Sequence, residues 1–181
     1  IKKDERTSHI PVILLTARAS KQDRIESLET GADDFITKPF DGEELKVRVD
    51  NLIKQRKNLQ QFYQKSFASV TESLSMDEKF LHKAKDIVMK NLSNSDYTIH
   101  EFASDMALSR TQLHRKLRAL VNNSCSEFIR TIRLNQAAEL LRKRTASVSE
   151  IAYGTGFNNP SYFSITFKQQ FGMSPSEYQQ H

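Results

Sequence analysis

The sequence predicts a mainly α-helical protein in which a short α/β segment is followed by a segment of seven helices. Strand-like and helix-like runs alternate over the first 56 residues. From Met76 onward the apolar spacing is helical throughout, and the helix starts are marked by capping residues. We therefore expect residues 1–56, 57–75 and 76–181 to be an α/β part, a linker and a helical domain.

Composition places the chain among ordinary soluble proteins, with 38% hydrophobic and 27% charged residues. No apolar run approaches the length that crosses a bilayer, and the charged start is unlike a signal peptide. Cys125 is the single cysteine, which excludes an internal disulfide and fits a reducing compartment. Cysteine and histidine lack metal-ligand spacing. We expect a cytoplasmic chain that makes no membrane contact and binds no metal.

The positive charge is concentrated in the helical part. The net charge is +5 and the pI is about 9.3. Residues 75–181 carry 14 Lys and Arg against 10 Asp and Glu, whereas residues 1–74 are nearly neutral. This distribution is compatible with nucleic acid as a partner of the second part.

The α/β part reads as two strands that alternate with two helices. Pro11–Thr16 is a buried-type strand, and Lys21–Thr30 has helical spacing before the stop at Gly31. Asp34–Lys38 is a second short strand, and Glu43–Arg56 is an amphipathic helix. Strands separated by helices predict a parallel sheet. A core this small and an exposed strand edge predict that residues 1–56 are stabilised by a partner chain.

The linker has two possible structures. Apolar residues recur at roughly helical spacing from Leu59 to Leu74. The segment is either a solvated connector or a continuation of the preceding helix that pairs two chains. We favour a helix, but Arg56 and Ser66 interrupt the apolar stripe and argue against a coiled coil.

Helix starts in the last segment follow capping rules. Capping-box pairs stand at Thr98/Glu101, Ser109/Gln112, Ser124/Glu127 and Ser147/Glu150, cap-proline pairs at Asn159-Pro160 and Ser174-Pro175, and a C-terminal stop at Gly172. The predicted helices lie near 77–92, 99–106, 110–121, 125–143, 148–155, 160–171 and 175–180.

One pattern occurs twice. Residues 102–108 line up with 151–157, and each copy has a short helix, a tight turn and a second capped helix. This is the helix-turn-helix layout. Two copies joined by helix 125–143 predict two reading helices which, if about 34–36 Å apart, would meet successive major grooves of DNA.

The helical segment resembles a known family of DNA-binding domains. The runs Ser149–Ala152, Gly156-Phe157, Pro160–Ser164 and Ser174–Tyr178 are close to the signature of the AraC/XylS-type DNA-binding domain. The resemblance covers residues 77–180. It implies a sequence-specific transcription regulator that binds double-stranded DNA with both reading helices.

The resemblance also implies roles for individual residues. The predicted base-reading residues are Arg110, Thr111, Gln112, His114, Arg115, Asn159, Ser161, Tyr162 and Ser164. The predicted phosphate contacts are Lys116, Arg118, Arg130, Arg133 and Lys168. Arg115 is the strongest candidate for a base contact, and its alternatives are a phosphate contact or a solvated charge.

The sequence departs from the family at three places. Ile165 stands where many members have Arg, so we expect more sequence readout from the first unit. Ala107 replaces the usual Gly of the first turn, where a positive φ carries a modest cost. Asn122–Cys125 replaces a segment that usually holds a Gly and a Pro.

Residues 10–54 resemble the last part of a response-regulator receiver domain, which has a flavodoxin-like α/β fold. The resemblance rests on Thr16–Arg18 and on the run Gly31–Phe40. In that family the equivalents of Thr16 and Lys38 contact an aspartyl phosphate, and the aromatic at Phe35 moves with Thr16. The bond before Pro39 is commonly cis.

The resemblance implies a truncated receiver, because the phosphoacceptor and the acidic metal-binding pair lie in earlier strands of the family. We expect no cofactor in this chain, and Mg²⁺ only in an intact receiver. A receiver before an AraC-type domain resembles the end of hybrid sensor kinases. This implies a histidine kinase part elsewhere in the intact protein, which would be anchored in the inner membrane, and a homodimer.

The function predicted is therefore a DNA-binding regulator at the output end of a two-component phosphorelay. The alternative is a protein-interaction or dimerisation module without specific DNA binding. An enzyme is disfavoured, since the sequence has no evident Ser/His/Asp set, no phosphate-cradling glycine loop, and scattered histidines.

Overall fold

The computed structural model describes residues 1–17, 31–65 and 75–180, with side chains for all of them except 62–65. The chain divides into two compact units. The first consists of Ile1–Phe80 with Arg115–Asn122, and the second of Leu81–His114 with Asn123–His181. The fold is mainly helical, with a small sheet near the N-terminus.

The first unit contains the predicted parallel sheet. Strands β1 (Ile13–Thr16) and β2 (Asp34–Thr37) pair in parallel, with Ile13 opposite Asp34. The amide of Lys38 donates to the Thr16 carbonyl at 2.7 Å and extends the ladder past β2. Ile36 is buried, and the Lys38-Pro39 peptide is cis. The predicted helix at 21–30 lies outside the described residues.

Helix α1 spans Gly42–Lys65. Asp41 Oδ1 accepts a hydrogen bond from the Glu43 amide at 3.0 Å. The negative charges of Glu43 and Glu44 in the first turn interact favourably with the positive end of the helix dipole. The helix was expected near Glu43–Arg56, and it continues into the predicted linker. The helical interpretation of the linker is thus confirmed as far as Lys65, and residues 66–74 lie outside the described part.

Residues 75–180, which the structure describes without a gap, contain seven further helices, each within two residues of its predicted bounds. They are α2 (Met76–Lys90), α3 (Ile99–Asp105), α4 (Arg110–Val121), α5 (Cys125–Arg142), α6 (Val148–Gly154), α7 (Pro160–Phe171) and α8 (Pro175–Gln180).

The predicted caps are confirmed. Complete capping boxes start α3, α5 and α6, at Thr98, Ser124 and Ser147. Ser109 and Gln112 exchange the same pair of bonds, from the Ser109 amide to Gln112 Oε1 at 3.0 Å and from the Gln112 amide to Ser109 Oγ at 3.3 Å. Gly172 ends α7 with φ 80°, in the left-handed region that favours glycine.

The core of the second unit is organised around α5. Its C-terminal half buries Leu134, Ala137 and Leu141 against α6 and α7, where Phe163 and Phe167 are fully buried. Its N-terminal half places Phe128 against Phe102 of α3. One helix therefore supports both helix-turn-helix units. None of the helices in the described ranges has the length and hydropathy of a membrane span.

Candidate nucleic-acid interface

The two helix-turn-helix turns have the same hydrogen-bond pattern. In the first, the Leu108 amide donates to the Ala103 carbonyl at 3.0 Å, and in the second the Phe157 amide donates to the Ala152 carbonyl at 3.0 Å. Ala107 has φ 56° where Gly156 has φ 81°. The duplication read from the sequence is therefore a duplication of backbone geometry, and Ala107 adopts the left-handed conformation at a cost of roughly 1 kcal/mol.

Helix α4 presents a polar first turn and buries its opposite face. Leu113 and Leu117 have no exposed surface, which fixes the rotation of the helix about its axis. The side chains expected to read bases on the other face are exposed, namely Arg110, Thr111, His114 and Arg115. Residues three and four apart in this set lie on one side of the helix. Gln112 is half-buried, and its Oε1 is engaged in the cap.

An open groove lies beside this first turn. Arg110, Thr111 and His114 line it on one side, and Ser124 and Ser126 on the other. Its volume is about 470 Å³. The groove joins the start of α4 to the start of α5, and Ile99 and Cys125 also line it.

Helix α7 repeats the arrangement of α4 with a less charged surface. Ser161 and Tyr162 are exposed, and Ile165 has 58% of its surface exposed, while Phe163 faces the core. Asn159 caps the helix, since its Oδ1 accepts from the Tyr162 amide at 3.0 Å. Ser164 is half-buried, and its hydroxyl donates to the Pro160 carbonyl at 3.0 Å.

Three of the predicted phosphate contacts have positions compatible with that role. Lys168 is exposed in the last turn of α7. Arg118 is exposed in the last turn of α4, and its guanidinium donates to the Asn122 carbonyl at 2.8 Å. Arg130 is half-buried on α5, with one nitrogen 3.4 Å from the Tyr162 hydroxyl.

Lys116 was expected to contact phosphate, and the structure corrects this. Only 1% of its surface is exposed. Its ammonium donates to Ser8 Oγ at 3.1 Å and to the Glu5 carbonyl, and it lies 3.6 Å from Asp77 and 4.4 Å from the centre of the Phe80 ring. Burial lowers the pKa of Lys116 from its usual value. A buried, fully engaged ammonium cannot reach a phosphate, so this prediction is wrong.

The sequence did contain a signal for the burial of Lys116. The residue follows Leu113 by three positions and precedes Leu120 by four, so it lies on the apolar stripe of α4.

Arg133 was also expected to contact phosphate, but its donors are engaged inside the second unit. One terminal nitrogen donates to the Gly156 carbonyl at 3.0 Å, and the other donates to the Asn94 carbonyl at 2.5 Å. Burial lowers the pKa of Arg133. The residue makes structural contacts with two backbone segments, and its phosphate contact stays a prediction.

The receiver residues meet at the carboxyl end of the sheet. Thr16 ends β1 opposite Thr37, and Lys38 follows β2 with an exposed side chain. Phe35 lies on β2 and is partly buried. These positions bring the three predicted switch residues to adjacent strands, and their switching role stays a prediction.

The acidic residues near this sheet do not fit a Mg²⁺ site. Asp33 is paired with Lys2 at 2.6 Å, and Asp34 with Arg48 at 3.0 Å. Both carboxylates are therefore neutralised by cations of the same unit.

Comparisons with known proteins agree with this geometry. Residues 102–181 match the helix-turn-helix domain family, and residues 1–50 match the response regulator receiver domain family. The AraC-type DNA-binding domain of a transcriptional regulator from Chromobacterium violaceum superposes with a TM-score of 0.52 at 26% identity, over 56% of this chain and 89% of that one.

The chain is an AraC-type helix-turn-helix domain preceded by part of a response regulator receiver domain. The DNA-binding domain of AdpA, a global transcriptional factor solved with a target DNA, is 27% identical with a TM-score of 0.50, over 55% of this chain and 88% of that one. Histidine kinase P4 of Formosa agariphila is 40% identical over 99% of this chain. The chain spans 13% of the length of that kinase.

Proposed function

We propose that this AraC-type chain is the DNA-binding output end of a two-component regulator and binds a specific duplex with α4 and α7. The observation that carries the proposal is the repeated presentation of a reading helix. In both units the first turn of the second helix is exposed and polar, while fully buried residues such as Leu113 and Phe163 fix the opposite face.

Sequence readout would come mainly from α4. Arg115 and Arg110 are exposed and can each donate two hydrogen bonds to a guanine edge. Gln112 and Asn159 use their side-chain oxygens as caps, which leaves only their amide NH₂ groups for a base. Ile165 offers an apolar contact to a thymine methyl.

Ser161, Tyr162 and Ser164 would complete the contacts from α7. Their hydroxyls act on α7 as single donors or acceptors, unlike the fork of an arginine. Thr111 and His114 add polar contacts on α4 next to Arg115. We therefore propose that α7 serves positioning more than sequence readout.

Phosphate anchoring would come from Arg118, Arg130 and Lys168. With Lys116 and Arg133 engaged elsewhere, the proposed set is smaller than the sequence suggested. Each phosphate neutralised contributes about −0.9 to the slope of log affinity against log salt. Three such contacts predict a slope of roughly −3 from these side chains.

The receiver part would supply control in the intact protein. The positions of Thr16 and Lys38 at neighbouring strand ends support a role in sensing an aspartyl phosphate. That phosphate, its Mg²⁺ and the histidine kinase belong to the intact two-component protein in this proposal. Thr16 and Phe35 would then change conformation together.

A homodimer is part of the proposal. Ile10 and Leu15 in the receiver part and Ile53 on α1 have between 43% and 47% of their surface exposed. Apolar side chains at this exposure support association of two receiver parts. Sedimentation of the chain at several concentrations would measure the association.

One experiment distinguishes the proposed function from the alternative, which is an interaction module without specific DNA binding. The wild-type chain is used to select duplexes from a random pool, and the selected duplex is then titrated against salt. We expect an enriched motif with two half-sites about 10 base pairs apart and affinity that falls with salt. Absence of any enriched motif would favour the interaction module.

The variant Arg115→Ala tests the main base contact on the selected duplex. We expect a loss of about 1–3 kcal/mol in the free energy of binding and a weaker base preference at one base pair. Arg142→Ala is the matched control, because Arg142 is exposed and ion-paired with Glu139 in the last turn of α5. An equal loss on all sequences with a smaller salt slope would instead make Arg115 a phosphate contact.

A further inference from the structure

Arg133 joins two segments of the second unit that are far apart in sequence. It lies in the middle of α5, and its two terminal nitrogens donate to the carbonyls of Asn94 and Gly156. Its Nε is buried and has no hydrogen-bond partner in the described structure. The hydrogen bonds of the side chain in the described structure therefore come from its two terminal nitrogens.

The two carbonyls lie in turns next to different helix-turn-helix units. Asn94 lies in the turn that leads into α3, where the Tyr97 amide donates to the same carbonyl at 3.2 Å. Tyr97 in turn packs on Phe102 and donates to Asp105, so this turn is attached to α3 of the first helix-turn-helix. Gly156 lies in the turn between α6 and α7 of the second helix-turn-helix.

The approach of Gly156 to Arg133 leaves no room for a side chain. A Cβ at Gly156 would lie 2.8 Å from Arg133 Cζ and would also clash with the Leu92 carbonyl oxygen. The φ of +81° there is also a conformation that glycine adopts without cost. The backbone of the second turn is thus packed directly against the guanidinium.

We propose that Arg133 is a positioning residue that sets the orientation of α7 relative to the start of α4, so that both helix-turn-helix units meet DNA in phase. The proposal rests on the proposed function for its consequence on DNA. The planar fork of arginine reaches two carbonyls in a fixed geometry, which a lysine ammonium does not. Each helix-turn-helix packs against α5, and Arg133 adds hydrogen bonds to a turn beside each of them.

A distance measurement tests the positioning without DNA. Spin labels are placed on cysteines at Thr111 and Ser161, in the first turns of α4 and α7, in a Cys125→Ser background of the full chain. We expect Arg133→Lys and Arg133→Met to broaden the distance distribution between the labels. Lys143→Met is the control, because it removes an exposed positive charge at the end of the same helix. An unchanged distribution in both Arg133 variants overturns the proposal.

Binding to the selected duplex tests the consequence. We expect Arg133→Lys to lose about tenfold or more in affinity for the duplex with native half-site spacing, the factor expected from one lost bond of a charged donor. The loss should be much smaller for a single half-site, and the salt slope should be unchanged because the charge stays. An equal loss on both duplexes overturns the positioning role.

Arg133→Met separates positioning from phosphate binding. A phosphate contact would weaken all duplexes alike and reduce the salt slope by about 0.9. A positioning residue leaves the single half-site affinity and the slope near wild type. If Arg133→Met unfolds, as seen by circular dichroism, Gly156→Ala disturbs the same contact from the other side, and its failure to alter spacing preference overturns the proposal.

Failure of the proposed function is visible separately. If the wild-type chain selects no DNA, the DNA-binding proposal fails, whereas the distance distributions still decide whether Arg133 orients the two units. If wild type selects DNA and the variants keep its spacing preference, the positioning proposal alone fails.

Discussion

Phe102 of α3 lies nearly parallel to Phe128 of α5, with ring centroids 6.1 Å apart and ring planes 10° apart. Both side chains are fully buried. This contact connects the first helix-turn-helix to the helix that also carries the core of the second. Offset stacking of buried rings adds to the free energy gained from their burial.

Replacing Phe102 by Ala should therefore destabilise the second unit. We expect a loss of about 3–5 kcal/mol in the free energy of unfolding, measured by urea denaturation, because the change leaves a cavity next to Phe128. Ile165→Ala removes an exposed apolar side chain and should stay within about 0.5 kcal/mol of wild type. Equal losses in the two variants would contradict the packing described.

The salt dependence of DNA binding should distinguish two lysines. Lys168→Met is expected to reduce the magnitude of the slope by about 0.9, since Lys168 is exposed on α7 and proposed to contact a phosphate. Lys116→Met should leave the slope unchanged, because its ammonium is buried against Ser8 and Asp77. A smaller slope for Lys116→Met would show that the ammonium reaches DNA.

The stability of the first unit should fall as the solution is acidified. Burial lowers the pKa of His9, and the positive charges of Lys116, Arg56 and Arg115 lower it further, while Asp77 opposes them. Since its folded pKa lies below the unfolded value of 6.5, the unfolded chain binds the proton first. This contribution to stability is present above pH 6.5 and is lost as the pH falls toward the folded pKa.

Unfolding midpoints in urea between pH 5 and 7.5 measure this effect, and His9→Gln should flatten the profile in that window. His82→Gln, which changes an exposed histidine of α2, is the control. A profile that keeps its slope in His9→Gln would assign the pH dependence to other groups.

Introducing arginine at Ile165 should strengthen DNA binding. The side chain is 58% exposed on α7, so a guanidinium fits there without disturbing the core. We expect tighter binding to the selected duplex, with a new base preference in the second half-site or a steeper salt slope. Gln180→Arg adds the same charge at the end of α8 and should leave the base preference unchanged. No gain beyond that control would argue that α7 does not face DNA.

Cys125 should react slowly with thiol reagents in the folded chain. It is 3% exposed at the first position of α5, and burial raises the pKa of its thiol. The thiolate is the reactive form, so both effects slow the reaction. Reaction with a disulfide reagent, followed by absorbance, should speed up when urea unfolds the chain. Fast reaction without urea would show that the start of α5 opens readily.

Local features of this chain could be predicted well. The caps at Thr98, Ser124 and Ser147 depend on residues three positions apart, so a linear reading finds them. The repeated turns at Ala107 and Gly156 were likewise visible as a repeat of residue types. Helix spacing then located which faces of α4 and α7 are apolar.

The structural contacts of Lys116 and Arg133 could not be predicted from the sequence, for one physical reason. Lys116 is paired with Ser8, which lies 108 residues away, and Arg133 is bound to carbonyls 23 and 39 residues away. Backbone carbonyls carry no mark of residue type, so no sequence pattern identifies them as partners of an arginine. The sequence therefore predicts a phosphate contact for both residues from their charge alone, for Lys116 on α4 and for Arg133 on α5.

The sequence by itself determined the order of helices, their caps, the duplication and the families to which the two parts belong, because these depend on short-range backbone preferences and apolar periodicity. Only the tertiary structure decided which positive charges are free for a nucleic acid. That choice depends on burial and on hydrogen bonds closed across long stretches of chain, which exist only once the helices have packed.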